Sequence, residues 1–403
     1  MGSKKKKKKS NKKAKQTALL FGVAILFIAL ATLGILAFRN YKESKEAEAA
    51  NENAVEMVES TVDDGPPEEW LKKFEEPKEP EVEPEKPKDT VILFAGDVLF
   101  DYGMPQHYDE SGIAGVVGAN LLAKMNEADV CVVNEEFPFG TAGSPAEKEY
   151  TFRCNPKYVT ALNEMGVDVV SLANNHALDY GTDCLTQTFA TLEQAGIKFA
   201  GAGPTLDRAK EPQIIEVNDK KIAIVAGSRV VPVASWGAST DRPGMLLCYE
   251  TDQICESISK AKEQADYVFV FVHWGIERND FPESYEKSMA AKFAEAGASA
   301  VIGSHPHVLQ GMEEVSGIPV FYSLGNYIFN VSIEKTMAVT CTISPEGLIT
   351  WRVIPCQAKN GVTEVAEPEK AAEIWKHVQS LSTNAIINDQ GEISWIKSEE
   401  AGQ

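Results

Sequence analysis

The sequence predicts an α/β domain behind a membrane-spanning segment, and three observations carry that reading. From residue 90 onward, short apolar runs alternate with longer amphipathic ones, the pattern of strands and helices packed in layers. Two late runs, 337–343 and 348–354, are joined by Ser-Pro-Glu-Gly and read as an antiparallel hairpin, so the sheet is mixed. Ahead of the domain, residues 17–38 hold no charged side chain.

The first element, residues 1–16, is a basic stub. Residues 1–39 contain nine lysines and Arg39 without an acid; setting those ten charges aside from the chain's net −20 leaves −30 on the remainder. So acidic a body argues against nucleic acid as a partner, because phosphate backbones are met by Lys and Arg patches.

The second element, 17–38, is a transmembrane helix. At ~1.5 Å per residue its roughly 22 positions span about 33 Å, enough for a bilayer core of ~30 Å. Lys4 to Lys9, Lys12, Lys13 and Lys15 precede it. Such a cluster stays cytoplasmic, which predicts a single-pass protein of the cell membrane with its main domain extracellular. The competing reading is a cleaved signal peptide with a site near Ala47-Glu48-Ala49-Ala50, although a signal's apolar region usually runs only ~7–15 residues.

Residues 39–89 are rich in Glu, Lys and Pro and read as an extended stalk that buries too little apolar surface to fold. The domain occupies 90–360, followed by a C-terminal helix and tail over 361–403. Its strand candidates are 91–95, 130–133, 167–172, 222–226, 267–272, 300–302 and 320–323; its helix candidates are 116–126, 182–195, 251–264 and 283–296. Hydrophobic residues at 44% are enough for a sizeable core. The seven cysteines are an odd number without a CxxC spacing, and Cys131 and Cys341 lie in apolar runs that predict buried thiols.

Five of these strands end in metal-ligating residue types. Asp97 follows the first after one glycine, Glu135 and Glu136 the second, and Asn174, Asn175 and His176 the third. His273 follows 267–272, and His305 and His307 follow 300–302. Four of the chain's six histidines thus occupy strand ends. Ligand sites of α/β sheets form at the carboxyl ends of strands, so these side chains are placed to converge. Each taken singly has a plainer explanation, such as a turn former or a helix cap. Pro306 between two histidines makes a stiff loop presenting two imidazoles. Mixed His, Asn and carboxylate donors suit Mn, Fe, Zn or Mg, in one or two ions, rather than a thiolate zinc site. Ser304 lacks a G-x-S-x-G elbow, which weakens a nucleophilic-serine reading.

The segments Phe-Ala-Gly-Asp-Val (94–98), Asn-Glu-Glu (134–136), Ala-Asn-Asn-His-Ala-Leu-Asp-Tyr-Gly (173–181), His-Trp-Gly (273–275), Gly-Ser-His-Pro-His (303–307) and Tyr-Ser-Leu-Gly-Asn-Tyr (322–327) resemble the CapA family of poly-γ-glutamate capsule synthesis proteins. That family is similar to the calcineurin-like metallophosphoesterases. The resemblance implies a four-layer α/β/β/α sandwich of the metallo-dependent phosphatase type. It also implies metal ligation by Asp97, Asn175, His273, His305 and His307, with Glu136 at the bridging position. His176 matches the histidine that assists the leaving group, and Arg153 a position that engages an anionic group; a surface arginine in an ordinary salt bridge is the alternative for Arg153. The phosphoesterase motif Asp-x-His is broken, since Leu99 stands two residues after Asp97.

Three functions follow from this resemblance. The first is a capsule or surface-polymer biosynthesis component whose metal site acts on an anionic polymer. The second is an extracellular metallophosphoesterase acting on phosphate-containing substrates. The third is a non-catalytic scaffold for membrane synthase subunits.

Overall fold

The strand Tyr267–His273 shows how the sequence builds the domain. Phe269 and Phe271 alternate with Val268, Val270 and Val272, so successive side chains face opposite sides of the sheet. The phenylalanines join one hydrophobic cluster and the valines another. A strand apolar on both faces belongs inside a layered fold.

The computed structural model describes residues 87–396. The expected basic stub, transmembrane helix and nearly all of the stalk lie outside the described residues. Among the described residues, no helix is long and apolar enough to cross a membrane.

The chain first lays down β1 (Thr90–Val98), β2 (Val130–Glu135), β3 (Val169–Ser171) and β4 (Lys198–Ala200). A two-residue strand β5 (Ala202–Gly203) leads to β6 (Gln213–Val217) and β7 (Lys220–Ser228). After β8 (Gly244–Met245) come β9 (Tyr267–His273), β10 (Ala300–Ser304), β11 (Met312–Val315) and β12 (Ile318–Phe321). The series continues with β13 (Asn326–Ile328), β14 (Ile333–Ile343), β15 (Ile349–Lys359) and β16 (Val362–Val365). One sheet has the order β16-β15-β14-β1-β2-β3-β4, with β13 against the end of β1. The other has the order β11-β12-β10-β9-β7-β6. Both are mixed: β1 to β4 run parallel while β14 pairs antiparallel with β1 and β15. The predicted hairpin is β14–β15.

Phe94 of β1 and Phe269 of β9 meet at 5.2 Å, with Trp351 of β15 near both, so the two sheets share a core. Helices Ala119–Glu127 and Gly181–Ala195 bury Leu121, Met125, Leu185 and Leu192 in the same cluster. On the far face of the second sheet, Ile254 and Ile258 of Asp252–Lys262 and Phe293 of Ser284–Ala296 pack with Val268, Val270 and Val301. The domain is thus a mixed α/β sandwich.

The structure adds elements that sequence pattern left unassigned. Helix Met104–Ser111 is one, and an antiparallel pair, Ala385–Ile387 with Ile393–Trp395, lies in the polar tail. The expected C-terminal helix spans Pro368–Leu381. The expected helix at 116–126 starts at Ala119, because Val116 and Val117 are buried in the core and Gly118 adopts extended backbone.

Gly96 allows β1 to approach β13. A Cβ there would lie 1.9 Å from the Gly325 carbonyl oxygen. That contact holds Asp97 beside its parallel partner Asn326. Gly96→Ala is expected to destabilise the domain by about 1–3 kcal/mol through overpacking, read as a lower urea midpoint. An unchanged midpoint would show that the two strands can separate freely.

Candidate metal centre

The C-terminal ends of β1, β2, β9 and β10, with the loop after β3, bring the predicted ligands together. Asp97, Glu136, Asn175, His176, His273 and His305 are buried, and His307 is partly exposed. Asp97, Glu136 and His273 form one group whose donor atoms lie within 4.8 Å of one another; Glu136, His305 and His307 form a second. Glu136 is common to both. That is the position expected of a bridging carboxylate. Asn175 joins the first group, its Oδ1 lying 2.9 Å from His273 Nε2.

The chain holds these side chains with a polar lattice. Asn134 donates from Nδ2 to Asp97 Oδ1 at 2.8 Å, and Asn174 donates to Asn134 Oδ1 at 3.2 Å and to the Glu135 carbonyl at 2.7 Å. Ser304 Oγ lies 2.9 Å from His273 Nδ1, and Asn326 Oδ1 lies 2.7 Å from His307 Nδ1. Such outer contacts set ring orientation and tautomer around a metal. Sequence reasoning assigned no role to Asn134 or Asn326 and weighed Ser304 only as a nucleophile. Their signal was adjacency, since each lies within a segment carrying a ligand or sits directly after the Leu-Gly turn.

The His-Pro-His loop is more constrained than proline alone requires. His305 and His307 both have positive φ, 100° and 58°, conformations disfavoured for residues with a Cβ. Asp97 Oδ2 accepts the His305 backbone N–H at 3.3 Å, and Arg278 N–H donates to the Pro306 carbonyl at 2.8 Å. Backbone held in this way is concentrated at functional sites.

Within the described residues, both carboxylate oxygens of Glu136 and Nδ1 of His305 are buried without a hydrogen-bond partner. Leaving such atoms unpaired is costly. A divalent cation answers that cost, and the oxygen and imidazole donors fit Mn, Fe, Zn or Mg. Without an ion Glu136, His305 and His273 resist their charged forms. Burial, then the neighbouring Asp97, pushes the Glu136 carboxyl well above its usual range. Burial and the His307 charge lower His305 to about 4, and burial and the surrounding histidines hold His273 well below normal.

His176 stands beside both groups rather than within them. Its Nδ1 lies 2.6 Å from Asp179 Oδ2, and its ring packs on Phe152 with centroids 4.2 Å apart. Asp179 was not singled out from sequence, although the three-residue spacing from His176 was visible. Arg153 takes no part in the cluster: its guanidinium lies 4.0 Å over the Tyr180 ring and donates to the Ala142 carbonyl at 3.3 Å. Leu99, where the phosphoesterase motif has histidine, is buried in the hydrophobic core. The seven cysteines are free thiols, six of them buried.

Residues 91–331 match the family described as bacterial capsule synthesis protein PGA_cap. The PGA biosynthesis protein CapA of Bacillus subtilis is 34% identical over 192 residues, 47% of this chain and 50% of that protein. The capsule biosynthesis protein CapA of Bacillus anthracis is 31% identical over 223 residues, 54% of each. The chain therefore spans about half the length of the curated relatives it matches.

Proposed function

The chain belongs to the bacterial capsule synthesis protein family, within the metallophosphoesterase-like superfamily, and on that premise we propose that it is an accessory component of poly-γ-glutamate or related surface-polymer synthesis with a metal-dependent hydrolytic site. The observation that carries the proposal is the pair of ligand groups sharing Glu136. The layers are read as α/β/β/α, with the site at one edge of the paired sheets.

When bound, one or two divalent ions would supply Lewis-acid polarisation and an activated water. Asp97, Asn175 and His273 would hold one ion, His305 and His307 the other, and Glu136 both. His176 is oriented by Asp179 and free to hold or move a proton at Nε2. The substrate is an anionic polymer or a phosphate-containing compound. Elemental analysis of the purified chain tests this reading. Between one and two ions per chain is the expected result, with one held more weakly because Leu99 replaces a ligand. A chain that takes up no metal in native or reconstituted form would remove it.

A second reading, the scaffold for membrane synthase subunits, is favoured by Leu99 alone. Turnover of a generic phosphate ester distinguishes it, since a scaffold has none. The extracellular placement rests on the basic cluster before Thr17. Protease added to intact protoplasts should digest the domain and spare a tag at Met1. A tag cleaved from outside would reverse the orientation.

A further inference from the structure

The metal-centre reading leaves unexplained a lysine that reaches into the site from the loop after β2. Lys148 is largely buried, with 16% of its side chain exposed. Its Nζ donates to the Asn175 carbonyl at 2.6 Å and to Asp179 Oδ1 at 2.8 Å, and lies 3.1 Å from His176 Nδ1. Trp236 covers it, the ammonium lying 5.4 Å from the ring centroid. Asp179 is fully buried, and its other oxygen accepts the Phe152 N–H at 2.7 Å and faces His176 Nδ1 at 2.6 Å.

We propose that Lys148 is a positioning residue for this site, one ammonium fixing both the Asn175 ligand turn and, through Asp179, the tautomer of His176. The proposal rests on the metal-centre reading above. A buried carboxylate is stable only when paired and hydrogen-bonded, and Lys148 is its ionic partner in contact. Asp179 Oδ2, at 2.6 Å, is closer to His176 Nδ1 than the ammonium at 3.1 Å, so His176 presents Nδ1–H to the carboxylate and leaves Nε2 for chemistry. The same ammonium holds the backbone of Asn175, whose side chain reaches His273. An ion pair serving stability alone would be complete with Asp179. The added bond to the Asn175 carbonyl ties the lysine to a ligand.

The test uses the full chain in detergent, labelled with nitrogen-15 at histidine, as wild type, Lys148→Met, Lys148→Ala and Asp179→Asn. Mn(II) binding and the ring nitrogen shifts of His176 are measured on each. Lys148→Met is expected to weaken Mn(II) binding about 10–100-fold, the range for loss of an outer-shell partner. It is also expected to move His176 out of the Nδ1–H form. Methylammonium should restore both properties to Lys148→Ala. Asp179→Asn should reproduce the tautomer change, which keeps the test decisive if Lys148→Met does not fold. Wild-type His176 shifts in both Lys148→Met and Asp179→Asn would overturn the proposal, as would a defect in Lys148→Ala that methylammonium leaves untouched. A wild-type chain that binds no Mn(II) refutes the metal reading instead, while the tautomer comparison still decides the role of Lys148.

Discussion

His305→Ala is expected to lose bound metal and turnover together, whereas His176→Ala keeps its metal and loses turnover by about 10²–10⁴-fold, roughly 3–5 kcal/mol of barrier. The difference follows from where the two rings sit. His305 belongs to the group with Glu136 and His307, and its Nδ1 is one of the buried atoms without a partner. Removing that ring deletes a donor from the centre. His176 belongs to neither group; Asp179 holds its Nδ1 side, which leaves Nε2 to serve a leaving group. The readouts are metal content by elemental analysis, turnover of a phosphate diester, and polymer output in cells. Variants are compared at equal folded protein, since both histidines are buried and their removal also costs packing. Full output from His176→Ala beside none from His305→Ala would make the site a binding platform, and the scaffold reading would lead.

Glu136→Gln is expected to weaken metal binding at both groups, because Glu136 is common to them. Loss of the shared carboxylate should lower affinity by at least about 100-fold, the upper end of what an outer-shell change costs. Loading should also depend on pH in a defined direction. Burial raises Glu136 toward its neutral form, while against the opposing effect of burial the carboxylates of Glu136 and Asp97 and the bond to Asn326 raise His307 to about 10. These two groups are one coupled pair, and whichever holds the proton must release it before it can ligate. Affinity should therefore rise with pH, and loading should release protons that calorimetry in two buffers of different ionisation enthalpy can count. Glu136→Gln should release fewer. Equal release from both proteins would mean that Glu136 is already ionised in the metal-free site.

Much of the fold was legible because its strands are short apolar runs between turn formers. The runs 130–133 and 267–272 became β2 and β9 with small extensions, and the hairpin at 337–354 became β14–β15. Helix Met104–Ser111 was not legible. It contains Pro, Gln, His, Asp, Glu and Ser and buries only Met104, so its sequence carries little periodicity. The pair Ala385–Ile387 and Ile393–Trp395 was hidden for a similar reason, being three residues a strand with few buried side chains.

The candidate ligands could be named from the chain because strand ends are local features, and a sheet gathers its strand ends along one edge whatever the loops do. Asp97, Glu136, Asn175, His273, His305 and His307 all followed from that rule and from the resemblance. What tertiary structure alone decided was partnership. That Glu136 is common to both candidate groups, that Arg153 stacks on Tyr180, and that Lys148 reaches Asn175 and Asp179 depend on contacts between residues far apart in sequence. Hydrogen bonds and ion pairs fall off within a few ångströms, whereas periodicity reports only which face a residue occupies, so such pairings become definite only when the two sheets have packed.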